Sequence, residues 1–249
     1  MNKDLKIISL VPSLTELLVD LGLEENIVGV TKFCSHPKNL RKDKVVVGGT
    51  KNINLEKIKI LQPNFILCNK EENTKEIVEN CRKIATTHVS DICTIKDIIA
   101  LITHYGTLFS CEEKALTLTK ELQDKIKDFT HFVKNKPTLK VVYFIWKNPW
   151  MIAANNTFIN HLLELNKLEN CYSSENRYPE ITLEGLRTKE VDAIFLSSEP
   201  FPFKEKDSLD FKNHTENTNI VLVDGEYFSW YGSRLLKAFD YFKELRKSL

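Results

Sequence analysis

Apolar residues recur at spacings of three and four through the middle of the chain: Ala115, Leu118, Leu122, Ile126, Phe129 and Val133. That spacing lines one face of an α-helix, and Lys, Glu, Asp and Gln fill the other. Ser110 stands three residues before Glu113, the reciprocal pattern of a capping box. Pro137 follows where a helix should stop. The pattern predicts a helix over residues 110–134, a rod of roughly 36 Å at 1.5 Å per residue.

The flanks carry shorter signals. Apolar runs over 7–11, 27–31, 45–47 and 65–68 predict strands. Ser13 and Glu16 repeat the capping-box pattern ahead of a helix through Leu17, Leu18 and Leu21, which Gly22 closes. A second helix spans 55–61 and ends before Pro63, with further helix and strand material over 83–89 and 95–109. Beyond the central helix come a strand over 140–146, a leucine-rich helix over 157–168, a strand over 220–223 and a closing helix over 235–245. Strands alternating with helices predict mainly parallel sheets covered on both faces.

The two flanks also match each other. At an offset of 128, Asn54-Leu55-Glu56, Phe65-Ile66-Leu67 and Lys70-Glu71 lie over Thr182-Leu183-Glu184, Ala193-Ile194-Phe195 and Ser198-Glu199. A weaker echo pairs residues 17–26 with 162–170. Two similar units follow, so the chain divides as an α/β lobe over 1–109, the helix over 110–136 and a second α/β lobe over 137–249. The fold class is α/β: two similar lobes with mainly parallel sheets joined by one long, rigid helix.

Composition narrows the chemistry. Lys plus Arg (35) nearly cancels Asp plus Glu (34), which gives no whole-chain field for nucleic acid. No apolar run reaches transmembrane length. The first strand follows almost at once, with no apolar export segment before it, which predicts a cytoplasmic chain or a trimmed mature form. The six cysteines show no CxxC and suit core positions in a reducing compartment.

Candidate chemistry sits after the strands. In open parallel sheets ligands lie beyond the strands' carboxyl ends, and Phe33, Trp146, Trp150, Phe203, Trp230 and Tyr231 all follow predicted strands. They are the candidate ligand-binding residues for a large, partly apolar ligand, although such rings also pack loops internally. Glu71 and Glu199 occupy matched places and are the candidate partner-docking pair, with Glu72 close by; plain solubility explains surface glutamates equally well. His36 stands beside Cys34 and could meet a ligand's metal. Among His36, His88, His104, His131, His161 and His214 no pair has helical metal-site spacing, and no nucleophile motif appears. No catalytic residue, protein-bound metal or cofactor is expected.

Several stretches resemble the cobalamin- and iron-siderophore-binding receptors of ABC importers, the helical-backbone class of periplasmic solute-binding proteins. They include Ile8-Ser9-Leu10-Val11-Pro12-Ser13-Leu14-Thr15-Glu16, Val47-Gly48-Gly49-Thr50, Trp146-Lys147-Asn148-Pro149-Trp150, Arg177-Tyr178-Pro179-Glu180, Ser198-Glu199-Pro200-Phe201-Pro202-Phe203 and Trp230-Tyr231-Gly232. The resemblance implies a monomeric, non-enzymatic, extracytoplasmic protein. It would hold cobalamin, haem or a ferric siderophore between two Rossmann-like lobes joined by one rigid helix, and dock on an ABC permease through one acidic residue per lobe. Siderophore receptors need cationic groups against an anionic chelate, and Lys32, Lys70 and Lys147 leave that ligand open. The alternative, from the chain's start, is a cytoplasmic tetrapyrrole-handling or chelatase-like enzyme using His36 or His161.

Overall fold

The computed structural model describes residues 4–211 and 218–249. His214 lies outside them. Two compact units emerge, one running to Gln123 and including Tyr231–Leu236, the other comprising Asp124–Trp230 and Lys237–Leu249.

The first unit contains β1 (Ile7–Ser9), α1 (Pro12–Asp20), β2 (Ile27–Val30), α2 (Leu40–Asp43), β3 (Val45–Val46), α3 (Leu55–Leu61), β4 (Phe65–Asn69), α4 (Lys75–Arg82), β5 (Thr86–Ser90) and α5 (Ile95–Leu108). Its five strands are all parallel in the order β3-β2-β1-β4-β5. Helices cover both faces, so the middle strand β1 is buried at every position and reads as continuous rather than alternating apolar residues. Ile8, Leu10, Ile58, Ile66 and Cys68 form part of one core cluster. The strand order reverses between β1 and β4, the switch point where doubly wound sheets open toward ligands.

Helix α6 (Glu112–Val133) has 22 residues, and the division between the units falls within it. Ala115, Leu118, Leu122, Phe129 and Val133 on its predicted face are buried. Its start corrects the sequence reading. Ser110 has φ 54° and closes α5 instead: Ser110 N–H donates to Thr107 O and Cys111 N–H to Gly106 O, a Schellman turn with serine in the left-handed position.

The second unit contains β6 (Leu139–Trp146), β7 (Met151–Ile152), α7 (Phe158–Leu165), β8 (Leu168–Asn170), β9 (Ala193–Ser197), β10 (Asn219–Val223), α8 (Gly225–Ser229) and most of α9 (Leu235–Ser248). β10, β9, β6 and β8 pair in parallel, and the short β7 joins β6 antiparallel. The leucine-rich helix is shorter than its pattern predicts. Lys167 turns at φ 55°, and Leu168–Asn170 pairs with β6 as a strand. Two mainly parallel sheets bear out the α/β class.

The internal repeat is registered to the residue in its strands, because β4 and β9 begin and end 128 positions apart. Its helices differ. Leu55–Leu61 is α-helical under an Asn54 cap, whereas Leu183–Thr188 forms only 3₁₀ turns. Gly185 and Thr188 are weaker helix formers than the lysines and isoleucines of the first copy.

Candidate functional site

In the first unit the carboxyl end of β2 enters a tight turn. Cys34 N–H donates to Thr31 O at 3.1 Å, so Lys32 and Phe33 form the corner. Thr31 and Cys34 are fully buried, and Cys34 Sγ lies 3.1 Å from Thr15 Oγ1 and 3.3 Å from Thr31 Oγ1. Burial pushes the Cys34 thiol above its ordinary pKa, so this cysteine is an anchor rather than a nucleophile. With both ends of the turn pinned inward, its corner must face out, and Phe33 is 51% exposed.

The Gly48–Gly49 pair supports that corner. Gly48 has φ +135°, where a side chain would be strained, and its carbonyl accepts from Lys32 N–H at 2.7 Å. A Cβ on Gly49 would meet Phe33 Cε2 at 3.2 Å. His36 is half-buried two residues beyond Cys34. Among the described residues no three His, Cys, Asp or Glu side chains group as a metal site.

Beside the switch point a buried amide network ties the ends of β4 and β5 to the loop after β3. Asn69 Nδ2 donates to Ser90 O at 3.0 Å, and Asn73 Nδ2 donates to Thr50 O at 2.9 Å. Asn69 Oδ1 accepts from Glu71 N–H at 2.9 Å and from Glu72 N–H at 3.3 Å. Satisfied networks of this kind stiffen a polar interior. Burial raises the Glu72 carboxyl above the usual carboxylate range, partly offset by Lys51 and Thr50.

Tyr231 belongs to this network. Its hydroxyl lies 3.2 Å from Ser90 Oγ, and burial raises its pKa against the hydrogen bonds of Ser90 and Ser13. Ser13 and Glu16 therefore serve differently from the capping box that their spacing predicts. Val11 is the N-cap of α1 without a side-chain bond, and Pro12 fills the first helical position. Glu16 instead accepts a forked pair from Arg234, Nε to Oε2 at 2.7 Å and Nη2 to Oε1 at 2.9 Å, with both side chains buried.

The second unit carries an aromatic shelf at the carboxyl ends of β6 and β9. Trp146 meets Phe201 edge-on at 5.7 Å, Phe201 meets Phe203 at 4.7 Å, and Trp150 lies near-parallel to Phe203 at 6.2 Å. Trp150 and Phe203 pack inward onto Phe211, whereas Trp146 is 39% exposed. Lys147 lies over Trp150 and bonds Asp207 at 2.7 Å and Asp210 at 2.6 Å. That hydrogen bond holds the Asp207 carboxyl below its ordinary pKa.

Glu199 opens the loop after β9, just as Glu71 opens the loop after β4. Its N–H meets Ser197 Oγ at 3.4 Å, and its Oε1 accepts from Ser229 Oγ at 2.6 Å and Trp230 Nε1 at 2.9 Å. Trp230 follows the short helix α8 rather than a strand and is buried. α8 and its grip on Glu199 escaped the sequence reading; Asp224, the capping residue whose side chain accepts from Glu226 N–H, was the available signal. Of the six candidate ligand residues, Phe33 and Trp146 are the well-exposed rings, Trp150 is half-buried, and Phe203, Trp230 and Tyr231 are buried.

Comparisons with known proteins follow the same lines. A vitamin B12-binding protein of Pectobacterium carotovorum is 25% identical over 94% of this chain and 85% of its own length. An ABC transporter substrate-binding lipoprotein of Bacillus subtilis is 25% identical over 98% of this chain and 79% of its own length. The fold matches the crystal structure of the periplasmic vitamin B12-binding protein of Vibrio cholerae with a TM-score of 0.82, at 19% identity and 98% coverage of both chains. It matches a periplasmic haem-binding protein of Roseiflexus sp. RS-1 with a TM-score of 0.84, at 15% identity and 98% coverage of both. The family model described as periplasmic binding protein matches residues 7–219, and this chain belongs to that family.

Proposed function

We propose that this protein is the solute-binding component of a cobalamin-type ABC importer. It takes a corrinoid or a related metal chelate, such as haem or a ferric siderophore, outside the cytoplasm and delivers it to a permease without chemical change. The observation that carries this reading is the exposure of Phe33 and Trp146, one ring per unit, each at the carboxyl end of a parallel strand. Covering about 100 Å² of such a ring contributes roughly 2.5 kcal/mol. A broad, partly apolar macrocycle suits exposed rings of this kind, and vitamin B12 and haem stand in the names of similar proteins. Glu71 and Glu199, at matched positions after β4 and β9, are the carboxylates we assign to the permease, and the protein acts as a monomer.

Calorimetric titration with cyanocobalamin, haem and a ferric siderophore tests the reading. Saturable one-to-one binding of a chelate is expected, weakened at least tenfold by Phe33→Ala combined with Trp146→Ala. Silence from all three ligands refutes the receptor assignment.

A further inference from the structure

No two histidines stand at metal-site spacing along the chain, but folding brings one pair together. His88 is the middle residue of β5, the edge strand of the first sheet, and His104 lies in α5. Their ring centroids are 5.2 Å apart, with the planes tilted by 35°. Zinc holds an imidazole nitrogen at about 2.0–2.1 Å, and a ring centre lies roughly 1.1 Å behind its nitrogen, so two imidazoles on one tetrahedral ion have centres about 5 Å apart. The separation of His88 and His104 is already that of a chelating pair.

The His88 ring is also held in place. Its Nδ1 lies 3.0 Å from Tyr105 Oη, and the fully buried Tyr105 ring meets it edge-on at 5.3 Å. A partner on one ring nitrogen fixes the tautomer and aim of a metal-binding imidazole. Here it leaves Nε2 as the nitrogen open to a ligand. Burial, and then His104, lower the His88 pKa, which favours the neutral, ligating form. His88 is half-buried and His104 exposed, so an ion reaches the pair from the solvent side.

No third His, Cys, Asp or Glu joins the pair among the described residues, so water would complete the coordination. Two imidazoles without carboxylates suit late first-row cations rather than Mg²⁺ or Ca²⁺, and Cu²⁺ stands highest in that series. The pair stands mid-strand and on α5, not in the loops beyond the strands' carboxyl ends that carry the candidate chelate residues.

We infer that His88 and His104 form a two-histidine site for a late divalent transition-metal ion, one that ties α5 to the edge strand β5 when filled. The site is separate from the chelate surface and does not depend on the receptor reading.

Titration of the full chain with copper(II), nickel(II) and zinc(II) chlorides tests it. The native protein should bind one Cu²⁺ more tightly than Ni²⁺ or Zn²⁺, with two imidazole nitrogens in its electron paramagnetic resonance spectrum. His104→Gln should lose one imidazole and at least tenfold in affinity while its metal-free melting temperature holds, because that side chain is exposed. His88→Gln should lose affinity to the same extent. His131→Gln, which alters an exposed histidine of α6, should bind as the native protein does. Ni²⁺ should raise the melting temperature of the native protein and leave that of His104→Gln unmoved. Copper held equally by the native and His104→Gln proteins, fewer than two imidazoles in the native spectrum, or an equal loss in His131→Gln overturns the site.

Discussion

Trp230 Nε1 donates to Glu199 Oε1 at 2.9 Å, so the carboxylate after β9 is aimed by an indole that is itself buried. Ser229 Oγ reaches the same oxygen. A glutamate held by two donors has lost its rotamer freedom before any partner arrives, which lowers the entropic cost of engagement. Trp230 acts here as an orienting group more than as an open stacking surface.

Trp230→Phe keeps an aromatic ring and deletes the donor. A hydrogen bond to a charged group contributes about 1.5–3 kcal/mol when well formed. The urea midpoint should fall accordingly while the denaturant slope stays constant. Chelate affinity should hold, and uptake through a reconstituted permease should drop toward the level of a Glu199→Gln variant. An unshifted midpoint would show that the bond is not maintained in solution.

Glu71→Ala combined with Glu199→Ala asks the docking question directly. Neither residue belongs to the aromatic surfaces, so calorimetric affinity for the chelate should be unchanged while permease-dependent uptake falls at least tenfold. Full uptake by the double variant would remove both carboxylates from the docking role.

The Glu16–Arg234 fork predicts a different signature. Removing one partner of a buried pair strands the other charge, at about 3–5 kcal/mol, whereas replacing both by apolar residues costs far less. Arg234→Ala should therefore unfold at much lower denaturant than Glu16→Met combined with Arg234→Met. Equal costs for the two variants would mean that the pair is not desolvated.

Much of the architecture was legible because strands and long helices announce themselves by period. β4 and β9 stand 128 residues apart, as the self-match requires, and α3 spans the predicted residues. What failed was local and competitive. Serine three residues before glutamate reads as a capping box, yet Ser110 is taken by a Schellman turn and Glu16 by an arginine 218 positions away. Such long-range claims leave no trace in spacing. Position after a strand located the aromatic residues, but exposure depends on packing, so Phe33 and Phe203 looked alike in sequence and differ in the fold.

Acid should weaken the first unit through His88. Its Nδ1 lies 3.0 Å from Tyr105 Oη, and its ring centroid is 5.2 Å from that of His104. Burial first, and His104 second, lower its pKa from the ordinary 6.5. The unfolded chain therefore takes up the proton first. The neutral ring's contribution is intact above pH 6.5 and is lost as pH falls below it toward the depressed folded value. Glu72, whose carboxyl is raised, has the opposite sign: its contribution is present at low pH and is lost as pH rises through its folded value. The informative measurement is thus the difference between native and His88→Gln proteins from pH 7 to 5. The native curve should fall more steeply; parallel curves would acquit His88.

Two glycines of the second unit separate packing from conformation. A Cβ on Gly225 would stand 2.4 Å from Ser197 Oγ and 2.6 Å from Glu199 Cγ, so Gly225→Ala must displace the carboxylate that Trp230 orients. Overpacking of this kind costs about 1–3 kcal/mol, and permease-dependent uptake should fall with it while chelate affinity holds. At Gly185 the nearest atoms to an added Cβ are 3.7 and 3.8 Å away, ordinary contact distances. There Gly185→Ala should stabilise by about 0.4–1 kcal/mol, by restricting the unfolded chain. Thermal melts of the two variants should move in opposite directions. Full uptake by Gly225→Ala despite a lower melting temperature would separate Gly225 from Glu199, and a lower melting temperature for Gly185→Ala would show that its added Cβ is strained.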